Sequence, residues 1–221
     1  MRFLPTGLAT RVLLCVATIV MLAAPAIYAG SAGATVTYRK VFKSSFPEFV
    51  EIKVTESGTA TADIRQLDEE PSPEAFAIGR PILEKIFQLT AQLHNFEGLN
   101  LEVHRRIANL GDKSFRYEKN GEAHEVHFNY TLDSSASQLL DVFEGLTREQ
   151  NDLSNLERAM RYDRLGVNDI LQRIEAAYNS KLYPEADRFL PAFDQLAADE
   201  RFLDIARQRA RALAGRIRTG H

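Results

Sequence analysis

Asn120-Gly121 constrains this chain more than any other pair of residues in it. A two-residue type I′ turn needs positive φ at both central positions, and Asn-Gly is well suited to it. Closing the chain there sets the register of both flanking segments: Lys119 meets Glu122, Tyr117 meets His124, Arg116 meets Glu125 and Phe115 meets Val126. Strand side chains alternate between faces. Phe115, Tyr117, His124, Val126, Phe128 and Tyr130 therefore share one face, and Ser114, Arg116, Glu118, Glu125 and His127 share the other. The turn chemistry and the apolar pattern agree, which is what a well-specified hairpin requires.

A second hairpin runs from Val50 to Ile64. A two-residue turn at Ser57-Gly58 would set Asp63 against Ile52. A three-residue loop Glu56-Ser57-Gly58, with Gly58 left-handed, instead pairs Val54 with Ala60, Ile52 with Ala62 and Val50 with Ile64, and keeps the apolar face intact. Between the hairpins, Pro81 stands at a first helical position. Ile82, Ile86, Leu89, Leu93 and Phe96 follow at helical spacing, predicting a helix over about Arg80 to Asn95 that covers the sheet. Gly98 to Gly111 reads as a loop.

From Ser134 onward the period is helical. Ser134 or Ser135 is the expected cap of a long helix whose stripe is Leu139, Phe143, Leu146, Leu153, Leu156 and Met160. Gly166 is expected to end it and Asn168 to cap the next helix, with Pro184 opening a third and a fourth over about Arg201 to Ile217. The expected fold is α+β: an antiparallel sheet of about four strands and one covering helix over residues 35–132, then a helical region over 134–221.

The N-terminus reads as an address. Arg2 and Arg11 precede an apolar run from Val12 to Ala24, then Pro25 and small residues, the pattern of a secretory signal peptide over residues 1–29. Cleavage is expected after Ala29, with Ala26 and Ala34 as alternatives. The rival reading is an uncleaved inner-membrane anchor, since Val12 to Ala29 approaches the ~20 residues of a spanning helix. Cleavage removes the single cysteine, Cys15, and leaves 25 basic against 30 acidic residues, a net charge of −5. That excludes disulfides and thiolate chemistry from the mature chain and argues against nucleic acid as a partner. The expected location is periplasmic or secreted.

Two resemblances add to this reading. Leu190-Pro191, Leu196, Asp199, Ile205-Ala206-Arg207, Ala210, Leu213 and Ile217 resemble a single HEAT-type helical hairpin, which implies an interaction role. Pro47-Glu48-Phe49-Val50-Glu51-Ile52, Ile107-Ala108-Asn109-Leu110-Gly111, Phe128-Asn129-Tyr130-Thr131 and Arg207-Gln208-Arg209-Ala210 resemble a group of uncharacterised exported bacterial proteins. That resemblance supports the address and the plan of the chain and assigns no catalytic residue.

Reaction signatures are missing from the sequence. His124 and His127 lie three apart on a strand and face opposite ways, so they cannot share a metal. His124 is expected to be a partly buried, hydrogen-bonded ring against Tyr117. No G-x-S-x-G, P-loop or dinucleotide fingerprint occurs, and no cofactor or metal is expected. Asp68-Glu69-Glu70 reads as a solvated loop. The one charge asymmetry is C-terminal: Arg201 to His221 holds six arginines and one acid, Asp204. Arg207, Arg211 and Arg218 fall near one another on that helix as a possible interaction surface, for a protein partner or for anionic lipid, or as a face paired internally. The functional expectation is a non-catalytic interaction module of the bacterial cell envelope. The alternative is an exported hydrolase or small-ligand-binding protein with a pocket between sheet and helices, near His124, Tyr117 and Arg116.

Overall fold

The computed structural model describes residues 33–103 and 105–220. The expected signal peptide and its alternative as an anchor lie outside the described residues. Six strands form one antiparallel sheet: β1 (Thr35–Val41), β2 (Phe49–Thr55), β3 (Thr59–Arg65), β4 (Glu74–Ala77), β5 (Asp112–Lys119) and β6 (Glu122–Phe128), in the order β4-β3-β2-β1-β5-β6. Helix α1 (Arg80–Gln92) lies between β4 and β5, and α2 (Ser134–Tyr162), α3 (Val167–Asn179), α4 (Leu190–Ala198) and α5 (Asp204–Thr219) complete the chain.

Both hairpin registers follow the turn chemistry. Val50, Ile52 and Val54 pair with Ile64, Ala62 and Ala60, and Lys119, Arg116 and Phe115 pair with Glu122, Glu125 and Val126. Gly58 and Gly121 take φ of 87° and 86°, where a Cβ is disfavoured.

The sheet has six strands where about four were expected, because β1 and β4 join it. The central strand β1 pairs with β2 on one side and with the distant β5 on the other, and it turns Lys40 toward α2. The edge strand β4 is four residues long and follows Pro71 and Pro73, as edge strands tolerate.

One sheet face is covered. Val36, Tyr38, Ile52, Val54, Phe115 and Val126 pack there against α1 and the first half of α2, where Leu139, Val142, Phe143 and Leu146 are buried. Helix α1 stops at Gln92, three residues before the expected end. His94, Asn95 and Phe96 then take φ of 52°, 51° and 66°. Left-handed non-glycine residues are unfavourable by roughly 1–2 kcal/mol each. The turn delivers Phe96, 1% exposed, onto Phe115 with ring centroids 5.6 Å apart, and that burial offsets it.

Five further helix ends differ from expectation. Asp133, not Ser134 or Ser135, caps α2: its Oδ1 accepts from the Ala136 N–H at 2.8 Å. Helix α2 ends at Tyr162, and Gly166 caps α3 in place of Asn168, which falls inside the first turn. Pro184 opens no helix; residues 186–189 form a 3₁₀ turn and α4 begins at Leu190, with Pro191 in its first turn. Helix α5 begins at Asp204, three residues after the expected start.

The described residues make one compact unit with two apolar cores. The second core is helical: Leu156 and Ala159 of α2 meet Leu171, Ile174, Phe189, Phe193 and the buried face of α5. Helix α2 serves both cores. Between Leu146 and Leu156 its buried residues are Glu149 and Gln150.

Candidate functional site

That polar stretch of α2 lies beside a trough. Residues 144, 147, 148, 151, 154 and 158 recur at spacings of three and four with one adjacent step, so they follow one side of the helix. They line two clefts, of about 290 Å³ and about 300 Å³, that share Asn151. A third, of about 230 Å³, shares Glu74, Ser154 and Arg158 with the second and runs on to Tyr162. From Glu144 to Tyr162 the helix rises ~27 Å at 1.5 Å per residue.

The sheet supplies the opposite wall. At one end Tyr38, Lys40 and the β1–β2 loop face α2. Lys40 Nζ lies 3.1 Å from Glu144 Oε1, and the Tyr38 hydroxyl donates to the same oxygen at 3.5 Å. Burial, then the Glu144 carboxylate, pushes the Tyr38 phenol well above its ordinary value, so it is a fixed neutral donor. Arg148 stands exposed over this cleft. In the middle, Glu74 Oε2 accepts from Gln150 Nε2 at 2.8 Å and from Ser154 Oγ at 3.0 Å. An exposed aromatic ring marks each end: Phe46 is 89% exposed and Tyr162 is 82% exposed.

Beneath the middle of the trough sits a buried charged centre. Glu149 is fully buried; its Oε2 accepts from the Glu185 N–H at 3.0 Å, and its Oε1 lies 3.7 Å from Arg188 Nη1. Arg188 also donates to Gln150 Oε1 and stacks over Phe76 of β4, with Cζ 4.1 Å from the ring centroid. Glu185 Oε1 accepts from the Gly79 N–H at 2.5 Å, just before α1. Residues 180–189 thus strap α2 to the sheet. Burial raises the Glu149 carboxyl to about 7, against the lowering by the Glu185 N–H and Arg188. Burial likewise raises Glu185 and lowers Arg188.

The residues singled out from sequence are dispersed. Tyr117 and His124 pair on the covered side of the sheet, while Arg116 points to the open side, where it meets Glu118 at 2.9 Å and Glu125 at 3.5 Å. Strand alternation prevents the three from converging on one substrate. His124 is half-buried, but its buried Nδ1 lacks the expected hydrogen bond among the described residues. His94 and His127 are exposed, and His104 and His221 lie outside the described residues. Asp68, Glu69 and Glu70 are exposed, as a solvated loop would be. Among the described residues no cluster of His, Cys, Asp and Glu is arranged to hold a metal, and no helix is long and apolar enough to cross a membrane.

The C-terminal arginines are engaged within the fold. Arg218 donates to both oxygens of Asp194 at 2.6 and 2.7 Å, Arg211 donates to the Ala197 carbonyl at 2.7 Å, and Arg207 lies 4.0 Å from Asp204. Arg209 and Arg216 both reach Glu175 of α3. These contacts tie α5 to α3 and α4.

The trough and the centre under it were missed from sequence, although one signal was present. The stripe on α2 steps from Leu146 to Leu153, a gap of seven, where a core helix would place an apolar residue three or four on. Glu149 and Gln150 occupy those positions. No known family matches this sequence, and no curated protein matches it.

Proposed function

We propose that this chain is an exported, non-catalytic protein-interaction module of the bacterial cell envelope, and that it holds an extended segment of its partner in the trough along α2. The observation that carries this reading is the continuity of the three clefts between two exposed aromatic rings, Phe46 and Tyr162. Aromatic side chains are enriched in protein interfaces, where covering them releases water from a large area. A trough of ~27 Å accommodates about eight residues of extended chain at ~3.3 Å each. The trough is a better surface than the ridge of Arg207, Arg211 and Arg218 for a partner or for anionic lipid, because Arg211 and Arg218 already have partners within the fold.

Site-specific photo-crosslinking tests the reading. A crosslinking side chain placed in the full-length protein at position 46, 151 or 162 should trap one polypeptide in intact cells, and the same side chain at 218 should not. Adducts only from 218 would move the surface to the basic helix, and no polypeptide adduct from any trough position would contradict the reading.

One observation favours a second reading. The Tyr38 hydroxyl, Lys40, Glu144 and Arg148 converge on the 290 Å³ cleft, a concavity near the lower end of the range for small-ligand pockets. A small-ligand-binding protein or an exported hydrolase would use that end of the trough alone, and substitutions at Tyr162 would leave its ligand binding unchanged.

A further inference from the structure

We infer that Glu149 and Arg188 form a proton-gated clasp that holds the strap of residues 180–189, and through it the β4 wall of the trough, in the docked position. The partner's response rests on the trough being its site; the gating itself does not.

The geometry of the centre is incomplete in one protonation state. Glu149 Oε1, Arg188 Nη1 and Glu185 Oε2 are all buried with no hydrogen-bond partner among the described residues. The Glu149 and Arg188 atoms face each other at 3.7 Å, too far for a hydrogen bond. A buried carboxylate needs close pairing to offset its lost hydration. Here Glu149 has one backbone N–H, one distant guanidinium and a second carboxylate, Glu185, beside it. Protonation removes the unsolvated charge and the repulsion from Glu185, which together outweigh the attraction lost to Arg188 at 3.7 Å. Deprotonation restores them, and undocking the strap lets water reach the carboxylate.

Titratable groups face Glu149 chiefly from the strap. The strap contributes Arg188, Glu185 and Asp187. Tyr183 of the strap also faces Glu149, and its hydroxyl donates to Asp152 of α2 at 2.7 Å. From β4, Glu74 reaches the centre through Gln150. No histidine stands on α2, β4, α1 or the strap, so no imidazole in these elements titrates in the same range.

The link to the trough is direct. Arg188 stacks on Phe76 and donates to Gln150, and Gln150 donates to Glu74. Releasing Arg188 removes its stacking on Phe76 of the four-residue edge strand and its bond to Gln150, the residue that holds Glu74. The trough is then firm at mildly acidic pH and loosened above neutrality.

Amide hydrogen exchange on the full-length protein tests the clasp without any partner. The reporters are the Glu185 N–H, which donates to Glu149, and the Gly79 N–H, which donates to Glu185. After correction for intrinsic exchange, their protection should fall about tenfold between pH 6 and pH 8, as for one carboxyl released across neutrality. Glu149→Gln should hold protection constant over that range. Glu185→Gln, which removes the neighbouring like charge, should move the midpoint to lower pH. Protection independent of pH in the wild type, or an unchanged dependence in Glu149→Gln, would overturn the inference. An intact clasp with no crosslinked partner would overturn the proposed function alone.

Discussion

The two cores are filled differently. In the first, Phe115 stands within 5.2–6.1 Å of four other rings, those of Tyr38, Phe96, Phe128 and Phe143. In the second, Ala192, Ala197, Ala206, Ala210 and Ala214 are buried alongside Phe189 and Phe193. Strands with fixed register aim large rings at one point; small side chains let helices approach closely. A core built on large rings is sensitive to voids, and one lined with alanine is sensitive to added volume. Helix α2 spans both, and where it passes between them its buried positions are polar.

Urea denaturation of paired variants sharpens that contrast. Phe115→Ala should have the largest effect, about 3–5 kcal/mol, since it empties the centre of the ring cluster. Ala210→Leu, at a position 0% exposed on α5, should cost about 1–3 kcal/mol by overpacking. If the alanine position proved the more sensitive of the two, the comparison between the cores would be wrong.

Gly145→Ala probes the strap where it crosses α2. Alanine ordinarily stabilises a helix interior by about 1 kcal/mol relative to glycine. A Cβ at Gly145 would lie 2.9 Å from Pro184 Cδ and 3.2 Å from the Leu182 carbonyl oxygen. The expected outcome is a net loss of roughly 1 kcal/mol, because the overpacking exceeds the propensity gain; a stabilised variant would show that the strap is not pressed on the helix.

The smallest effect separates two caps. Asp133→Ala should cost about 1 kcal/mol, and Ser134→Ala no more than about 0.5 kcal/mol, both read by thermal or urea unfolding. Equal losses would return the cap to the serines.

The parts of this fold that were legible in the sequence are local. Asn120-Gly121 and Gly58 set two registers because a turn and its flanking alternation lie within a few residues of each other. Strand β1 was hidden because half of its pairing, to β5, joins Val36 to Tyr117 across 81 residues. Asp133 outcompeted two serines because its carboxylate reaches the Ala136 N–H, a choice among neighbours that composition alone does not order. The trough was illegible for the same reason as β1: Lys40 and Glu144 are 104 residues apart and meet only once α2 lies across the sheet. Glu149 left a trace, the missing apolar step between Leu146 and Leu153, but a gap in a stripe does not say whether the position is solvated or buried with a partner.

The polar layer between the cores is the central feature, and the pH dependence of stability tests it most directly. The Glu149 carboxyl titrates at about 7 in the folded state against an ordinary value of 4.5. Between these values the folded chain binds the proton and the unfolded chain has released it. Stability from this group is therefore full below about pH 4.5 and is lost as pH rises through about 7, by up to ~3 kcal/mol. Urea unfolding of the wild type and Glu149→Gln from pH 5 to pH 8 isolates it. The account predicts that the wild type loses stability relative to the variant as pH rises; parallel curves would contradict a buried, poorly paired carboxyl at the junction of the two cores.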